Sequence, residues 1–360
     1  MRFDYDTSYR DGKRLLRYPS QKLAYALLAL VLLAAPWVLP KYYVGELTYL
    51  FILSIASLGL MVLSGYTGQV SLGHSAFLAV GAYAHAWFLS QGLPFGASIL
   101  LAMAASALVG LALGLPAIRV SGLYLAMVTL AFAILIEHVL GRWKSVTGGF
   151  NGLPVADPVL LGMDLSGLKS FYFLCLACLV IVLVLLVNLM RGKTGRAFVG
   201  VRDSEAAAAS LGIWVAGHKV LAFVISAAVT GFAGALMAHH VRHLTPEGFN
   251  LLLSLELVLM VTIGGLGSLR GAVLGAFLIG MVPALISQIK PMLGDRIAKQ
   301  FGLEIFIFGR PNSIIMSRSS SLNADSFLPN TNTFSIALLF RTHTLYGLGN
   351  TLYDIGVLYN

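Results

Sequence analysis

The chain has 360 residues, 58% of them hydrophobic and 11% charged, with a mean hydropathy of +0.85. Soluble domains carry about 25% charged residues, so a soluble enzyme, a nucleic-acid-binding module and a disordered chain are excluded; only lipid tolerates this much apolar exposure. The 24 Lys and Arg outnumber the 15 Asp and Glu for a net charge of +9, and the placement of that excess decides whether its anionic counterpart is nucleic acid or the lipid surface.

In chain order, a basic N-terminal segment over residues 1–22 precedes apolar runs at 23–39, 47–63, 70–89, 95–115, 123–140, 171–190, 220–238, 251–268 and 272–289. Each is near the length that spans a bilayer as a helix, and a tenth run begins at Gly302 and stops abruptly. The expected fold class is therefore all-α, a polytopic transmembrane helical bundle of about nine to ten spans over residues 23–309. The first run reads as an anchor and not a signal peptide, because Pro36 and Pro40 interrupt the small-residue cleavage pattern and further spans follow. Cys175 and Cys178 lie inside the sixth run, where a thiolate is expensive, so they read as small packing residues. Small residues at four-residue spacing, Gly110 with Gly114, Gly231 with Ala235, and Gly267, Gly271 and Gly275, predict close helix approach. Glu137 and Glu256 are carboxylates inside spans and mark where an ion-coupled carrier would bind its ion.

Alternating the spans from an inside N-terminus places thirteen Lys and Arg on inner segments and eight on outer ones. Positive loops stay cytoplasmic, so the N-terminus and the loop 191–219 are expected there. The charge excess is thus an orientation signal at a lipid surface, with no sign of nucleic-acid binding. No phosphate loop is present, since Gly192, Lys193 and Thr194 lack the upstream glycine. The chain therefore needs no cofactor of its own, and any ATP-driven step belongs to a separate chain. Within the loop, Asp203 or Ser204 can cap a short helix, Glu205 favours its first turn and Gly212 ends it.

The run of Glu205, Ala206, Ala207 and Ala208 with Gly212 following resembles the cytoplasmic Glu-Ala-Ala loop of ABC importer permease subunits. That resemblance implies docking on ATPase subunits. The stretches LSGYTGQVSLGHSAFLAVGAY, SGLYLAMVTLAFA, VTGGFNGL and TIGGLGSLRGAVLGA narrow it to the branched-chain amino acid permease family of the LivM type, over roughly residues 22–309. It implies a bacterial inner-membrane subunit carrying leucine, isoleucine or valine. Its implied partners are a second permease subunit, two cytoplasmic ATPases and a periplasmic substrate-binding protein. A permease for urea or another small solute and an ion-coupled secondary transporter are the alternatives. Independently of the family, Gly65, Gly68, Gly73 and Gly81 break the start of the third run beside Gln69, Ser71 and His74. Broken helices expose backbone groups to a substrate, which makes Gln69, Ser71, Gly73 and His74 candidates for the substrate path; a packing bend with His74 bonded to a neighbour is the other reading.

From Arg310 the composition changes. Asparagine appears three times before that point and six times after it, whereas only Ala324 and Ala337 follow Gly309. Residues 310–360 are expected to be a frameshifted or otherwise foreign tail.

Overall fold

The computed structural model describes residues 19–160, 163–164 and 166–283. Its helices in chain order are α1 (Pro19–Val38), α2 (Lys41–Leu60), α3 (His74–Ser90), α4 (Phe95–Ala117), α5 (Gly122–Arg142), the single turn α6 (Lys144–Thr147) and α7 (Leu168–Arg191). They are followed by α8 (Lys193–Asp203), α9 (Glu205–Ser210), α10 (Val215–Val241), α11 (Leu251–Gly264) and α12 (Leu269–Gly280). Four two-residue strands, β1 (Leu153–Pro154), β2 (Val159–Leu160), β3 (Met163–Asp164) and β4 (His243–Leu244), form two antiparallel pairs. Leu153 pairs with Leu244 and Val159 with Asp164. The basic segment, apart from the start of α1, lies outside the described residues, as do the tenth run and the whole tail.

Six helical stretches among the described residues are long and apolar enough to cross a membrane: Lys41–Tyr66, Phe95–Ala117, Gly122–Arg142, Leu168–Arg191, Val215–Val241 and Pro246–Gly264. The expected count of nine to ten is not reached on this measure. Leu23–Val38 and Leu269–Gly280 are shorter apolar helices, and the ninth run continues beyond the described residues. The third run is shortened at its start because residues 68–73 are not helical, which leaves α3 with 17 residues. The eighth run also overshoots its helix, since α11 ends at Gly264 and a turn follows.

Two helices make the core. The stretch from α2 into its extension is 89% buried across its most apolar window, against 22% for α7 and 28% for α5. α10 packs against α4, α3 and α2, α7 and α12 lean on α2, and α5 sits on α3. Small residues make these approaches possible where lipid removes the hydrophobic force between helices. A Cβ on Gly81 of α3 would strike the backbone of Gly231 in α10, and one on Gly110 of α4 would meet Ala227 and the Phe223 carbonyl. Gly271 and Gly275 let α12 press on the backbone of α11 at Gly264 and Met260. Gly267 has a different use from the one its spacing suggested, for it sits in the turn before α12 with φ +89°.

Polar groups inside the bundle are spent locally or in pairs. Thr48 and Ser54 donate back to the carbonyls of Val44 and Leu50, both at 2.7 Å, so these two hydroxyls in the most buried helix are met by their own backbone. Far along α3, His85 Nε2 lies 2.7 Å from His239 Nε2 of α10, and Ser98 of α4 bonds His85 Nδ1 at 2.9 Å. Cys175 is buried and Cys178 half-buried on α7, both free, in keeping with packing. Exposed leucines such as Leu100, Leu108, Leu123 and Leu185 stud the outside of the bundle, as a lipid-facing surface requires.

Candidate coupling and translocation site

Glycine directs how α2 ends. Its last turn loosens into a π-helix over Met61–Tyr66, because Gly65 has no side chain to hold off Met61 and the backbone of Gly267. The carbonyls a wider turn leaves over find nearby donors. Leu63 O accepts from Thr67 Oγ1 at 2.6 Å and from Gln69 N at 3.2 Å, and Ser64 Oγ donates to Gln69 O at 3.1 Å. Gly68 then turns the chain with φ +68°, a conformation that glycine adopts without strain, and α3 starts at His74.

The start of α3 is tied on every side. Leu72 N donates to Thr129 Oγ1 of α5 at 3.0 Å, Ser75 N to Ser254 Oγ of α11 at 2.9 Å, and Ala76 N to Gly73 O at 3.1 Å. Gly73 lets the Thr129 backbone come close, since a Cβ there would strike its carbonyl. His74 is fully buried between Ser71 and Ser226. Ser226 Oγ gives its one proton to Gly59 O at 2.7 Å, so it can only accept from His74 Nε2–H, also at 2.7 Å. The other ring nitrogen, Nδ1, then accepts from Ser71 Oγ at 3.0 Å. A neutral imidazole with its proton on Nε2 satisfies both hydroxyls, and its contacts join α2, α3 and α10. In this conformation the backbone donors of Gln69, Leu72, Gly73 and Ser75 and both ring nitrogens already have internal partners.

The loop after α7 is more structured than expected. It folds into two helices, α8 and α9, and α10 begins at Val215, five residues ahead of the anticipated span. Ser204 is the cap, its Oγ accepting from Ala207 N at 3.2 Å, and Gly212 closes α9 with φ +80° while Ile213 N reaches back to Ala208 O at 3.0 Å. Ala208 packs inward, whereas Ala206 and Ala207 face out. Beyond them Leu211 is 80% and Trp214 74% exposed, two apolar side chains that sequence reasoning passed over inside a loop.

One ion pair and one hydrogen bond fix this unit to the spans. Lys219, counted in the sequence as a loop charge, is a buried residue of α10 whose Nζ lies 2.7 Å from Glu205 Oε1. Arg202 Nη1 donates to Gly65 O at 3.1 Å. Between these ties lies a cavity of about 270 Å³, lined in part by Thr67, Gln69, Ser121, Arg202, Glu205 and Lys219. Gln69 Nε2 donates to Thr67 Oγ1 at 3.1 Å, while its buried Oε1 has no partner among the described residues. The structure thus brings the two sequence-predicted sets, Glu205 to Gly212 and Gln69 to His74, to one end of the bundle. Gln69 and Glu205 share the cavity wall, and Ser71, Gly73 and His74 pack away from it. The carboxylates Glu137 and Glu256 lie elsewhere, on α5 and α11, and no group of three or more His, Cys, Asp or Glu among the described residues could hold a metal ion.

The family described as branched-chain amino acid transport system / permease component matches residues 42–307. The high-affinity branched-chain amino acid transport system permease protein LivM of Salmonella typhimurium is 34% identical over 284 residues, covering 72% of this chain and 67% of the relative. The probable branched-chain amino acid transport permease protein LivH of Methanocaldococcus jannaschii is 24% identical over 292 residues, 78% of this chain and 89% of the relative. The autoinducer 2 import system permease protein LsrC of Enterobacter sp. strain 638 is 31% identical over 232 residues, 61% and 63% of the two chains. No solved structure matches.

Proposed function

This chain belongs to the branched-chain amino acid transport system permease family, and we propose that it is the membrane-spanning permease subunit of an ABC importer for leucine, isoleucine and valine. Its relatives are permease components of transport systems and its helices are those of a multi-pass membrane protein. The finer picture is ours. Nine to ten spans cross the bacterial inner membrane from a cytoplasmic N-terminus, a second permease subunit completes the path, and a periplasmic binding protein delivers the solute. ATP is bound and split by separate cytoplasmic subunits, so this chain is a transport component, not an enzyme, and holds no cofactor.

The observation that carries this reading is the capped α9, with Glu205, Ala206, Ala207, Ala208 and Gly212, tied by Glu205 to the buried Lys219 of a core helix. A helix so placed presents Ala206, Ala207, Leu211 and Trp214 to a docking ATPase while its other side is fixed to α10. Movement of the ATPases then reaches the spans and alternates access to the path. Gln69 on the cavity wall is the member of the path set placed to meet solute there, and Ser71, Gly73 and His74 hold the bend behind it.

Affinity purification from the native membrane, followed by reconstitution, tests this. Two ATPases and a second permease are expected to co-purify, and liposomes holding the full assembly to take up labelled leucine only with ATP and the binding protein. Uptake by this chain alone, driven by an ion gradient, overturns it in favour of a carrier using Glu137 or Glu256. The family's reach to relatives named for autoinducer 2 import makes the solute a separate question. ATP-driven uptake of urea or another small solute but not of leucine, isoleucine or valine overturns the amino-acid assignment alone.

A further inference from the structure

Arg202 is the last arginine of α8, one residue ahead of Asp203 and two ahead of the α9 cap. Its guanidinium is held in one plane by its neighbour, with Nε and Nη2 each 3.0 Å from Asp203 Oδ1. That leaves Nη1 free to point into the bundle, where it donates to Gly65 O at 3.1 Å. The acceptor is a carbonyl of the π-helical stretch that ends α2, where the backbone ladder is already irregular and a bond from outside is easily accommodated.

Glycines surround the same guanidinium. A Cβ on Gly68 would come within 2.9 Å of Arg202 Cγ, and one on Gly267 within 3.2 Å of Nη1. Gly267 N in turn bonds Met61 Sδ of the π-helical stretch at 3.2 Å. Three backbone segments therefore converge on one side chain with no side chain of their own in the way: the end of α2, the break before α3, and the turn between α11 and α12. The first two interrupt an apolar run and the third is the turn that joins two helices, so none of them is held by a continuous helical ladder.

We propose, on the reading of α9 as the ATPase contact, that Arg202 is the positioning residue that carries the movement of α8 and α9 into the interrupted ends of α2, α3 and α12. Glu205 reaches only α10, a continuous helix that moves as a rod. Arg202 reaches the segments that can change shape. Its guanidinium is engaged by Asp203 and by Gly65 O, away from the exposed face of α9, so losing it separates ATP hydrolysis from transport and leaves the ATPases bound.

The test uses the full assembly with both ATPases, reading three quantities for each variant: ATPase subunits retained, ATP hydrolysed, and leucine taken up. For Arg202→Gln the ATPases stay bound at the wild-type ratio and hydrolysis stays within about twofold, while uptake per ATP falls about tenfold, a typical coupling free energy between sites. Arg202→Lys, which keeps one charged donor but not the fork, recovers part of that loss. Asp203→Asn alters a largely exposed side chain, so it folds even if Arg202→Gln does not, and by loosening the fork it lowers uptake per ATP about two- to threefold. An unchanged ratio of uptake to ATP in both Arg202→Gln and Asp203→Asn overturns the proposal, as does loss of the ATPases from either folded variant, which makes Arg202 a docking residue. Wild-type protein that retains no ATPase overturns the functional reading itself.

Discussion

The pair between Glu205 and Lys219 is asymmetric, and its two halves are expected to respond differently to removal. Lys219 keeps 5% of its side chain exposed and Glu205 keeps 50%, at 2.7 Å separation. Breaking a fully buried ion pair from one side costs about 3–5 kcal/mol because the surviving charge is stranded. Here one partner is half in water, so Glu205→Ala strands a buried ammonium at a reduced cost of about 2 kcal/mol. Lys219→Met keeps most of the aliphatic stem and leaves a carboxylate that water can reach, for about 0–1 kcal/mol. The double variant is expected to resemble Lys219→Met, so the cycle is strongly non-additive. Denaturant titration of the purified chain in mixed micelles measures all three. Equal losses for the two single variants, or a double variant that loses their sum, would refute the account of α9 as tied to the core through a buried cation.

Gly81→Leu drives a side chain into the backbone of Gly231 and is expected to cost at least about 1–3 kcal/mol as overpacking, seen as loss of monodisperse protein. Gly96→Ala, with nothing within 4 Å of the added methyl, serves as the harmless control. Gly212→Pro demands a φ near −65° where the chain has +80°, and removes the bond from Gly212 N to Ala209 O; ATPase co-purification and uptake are both expected to fail, and survival of both removes α9 from coupling. His74→Gln retains a donor for Ser226 Oγ and is expected to be less destabilising than His74→Leu, which removes the acceptor of the Ser71 hydroxyl while Ser226 keeps its bond to Gly59 O, at about 1–3 kcal/mol for the unmet group; the reverse order in thermal unfolding refutes the hydrogen bonding assigned above. Sequencing of the coding DNA is expected to show a frame disruption near Arg310, and one intact frame through Asn360, matched by the intact mass of the native protein, refutes a foreign tail.

The six long apolar helices were legible because an apolar run of membrane length leaves the backbone little alternative to a helix. The break before α3 was legible for a similar reason, since Gly68 and Gly73 bracket a polar stretch that no span would carry without purpose. The cap at Ser204 and the stop at Gly212 follow from local chemistry that reads directly off neighbouring residues. What could not be read were the partners. His74 meets Ser226 across 152 positions and Arg202 meets Gly65 across 137, separations at which no periodicity survives. Lys219 was misplaced for an instructive reason: a lysine at the end of a polar loop looks solvated, and only the position of Glu205 on the capped helix beside it makes its burial affordable.

The two ties to the helix pair α8 and α9 differ in what lies behind them, and α10 shows why. Lys219 and Ser226 are seven residues apart on that helix, close to two full turns, so they share a face about 10 Å apart along the axis. One end of that face holds Glu205 and the other holds His74 together with the Gly59 carbonyl. Between them α10 contains no proline. A displacement imposed at Glu205 is therefore expected to reach the His74 contact along an unkinked helix, beside the end of α2 that Arg202 bonds at Gly65 O. Glu205 and Arg202 hold the helix pair to opposite sides of the break between α2 and α3, one through a rigid rod and one directly.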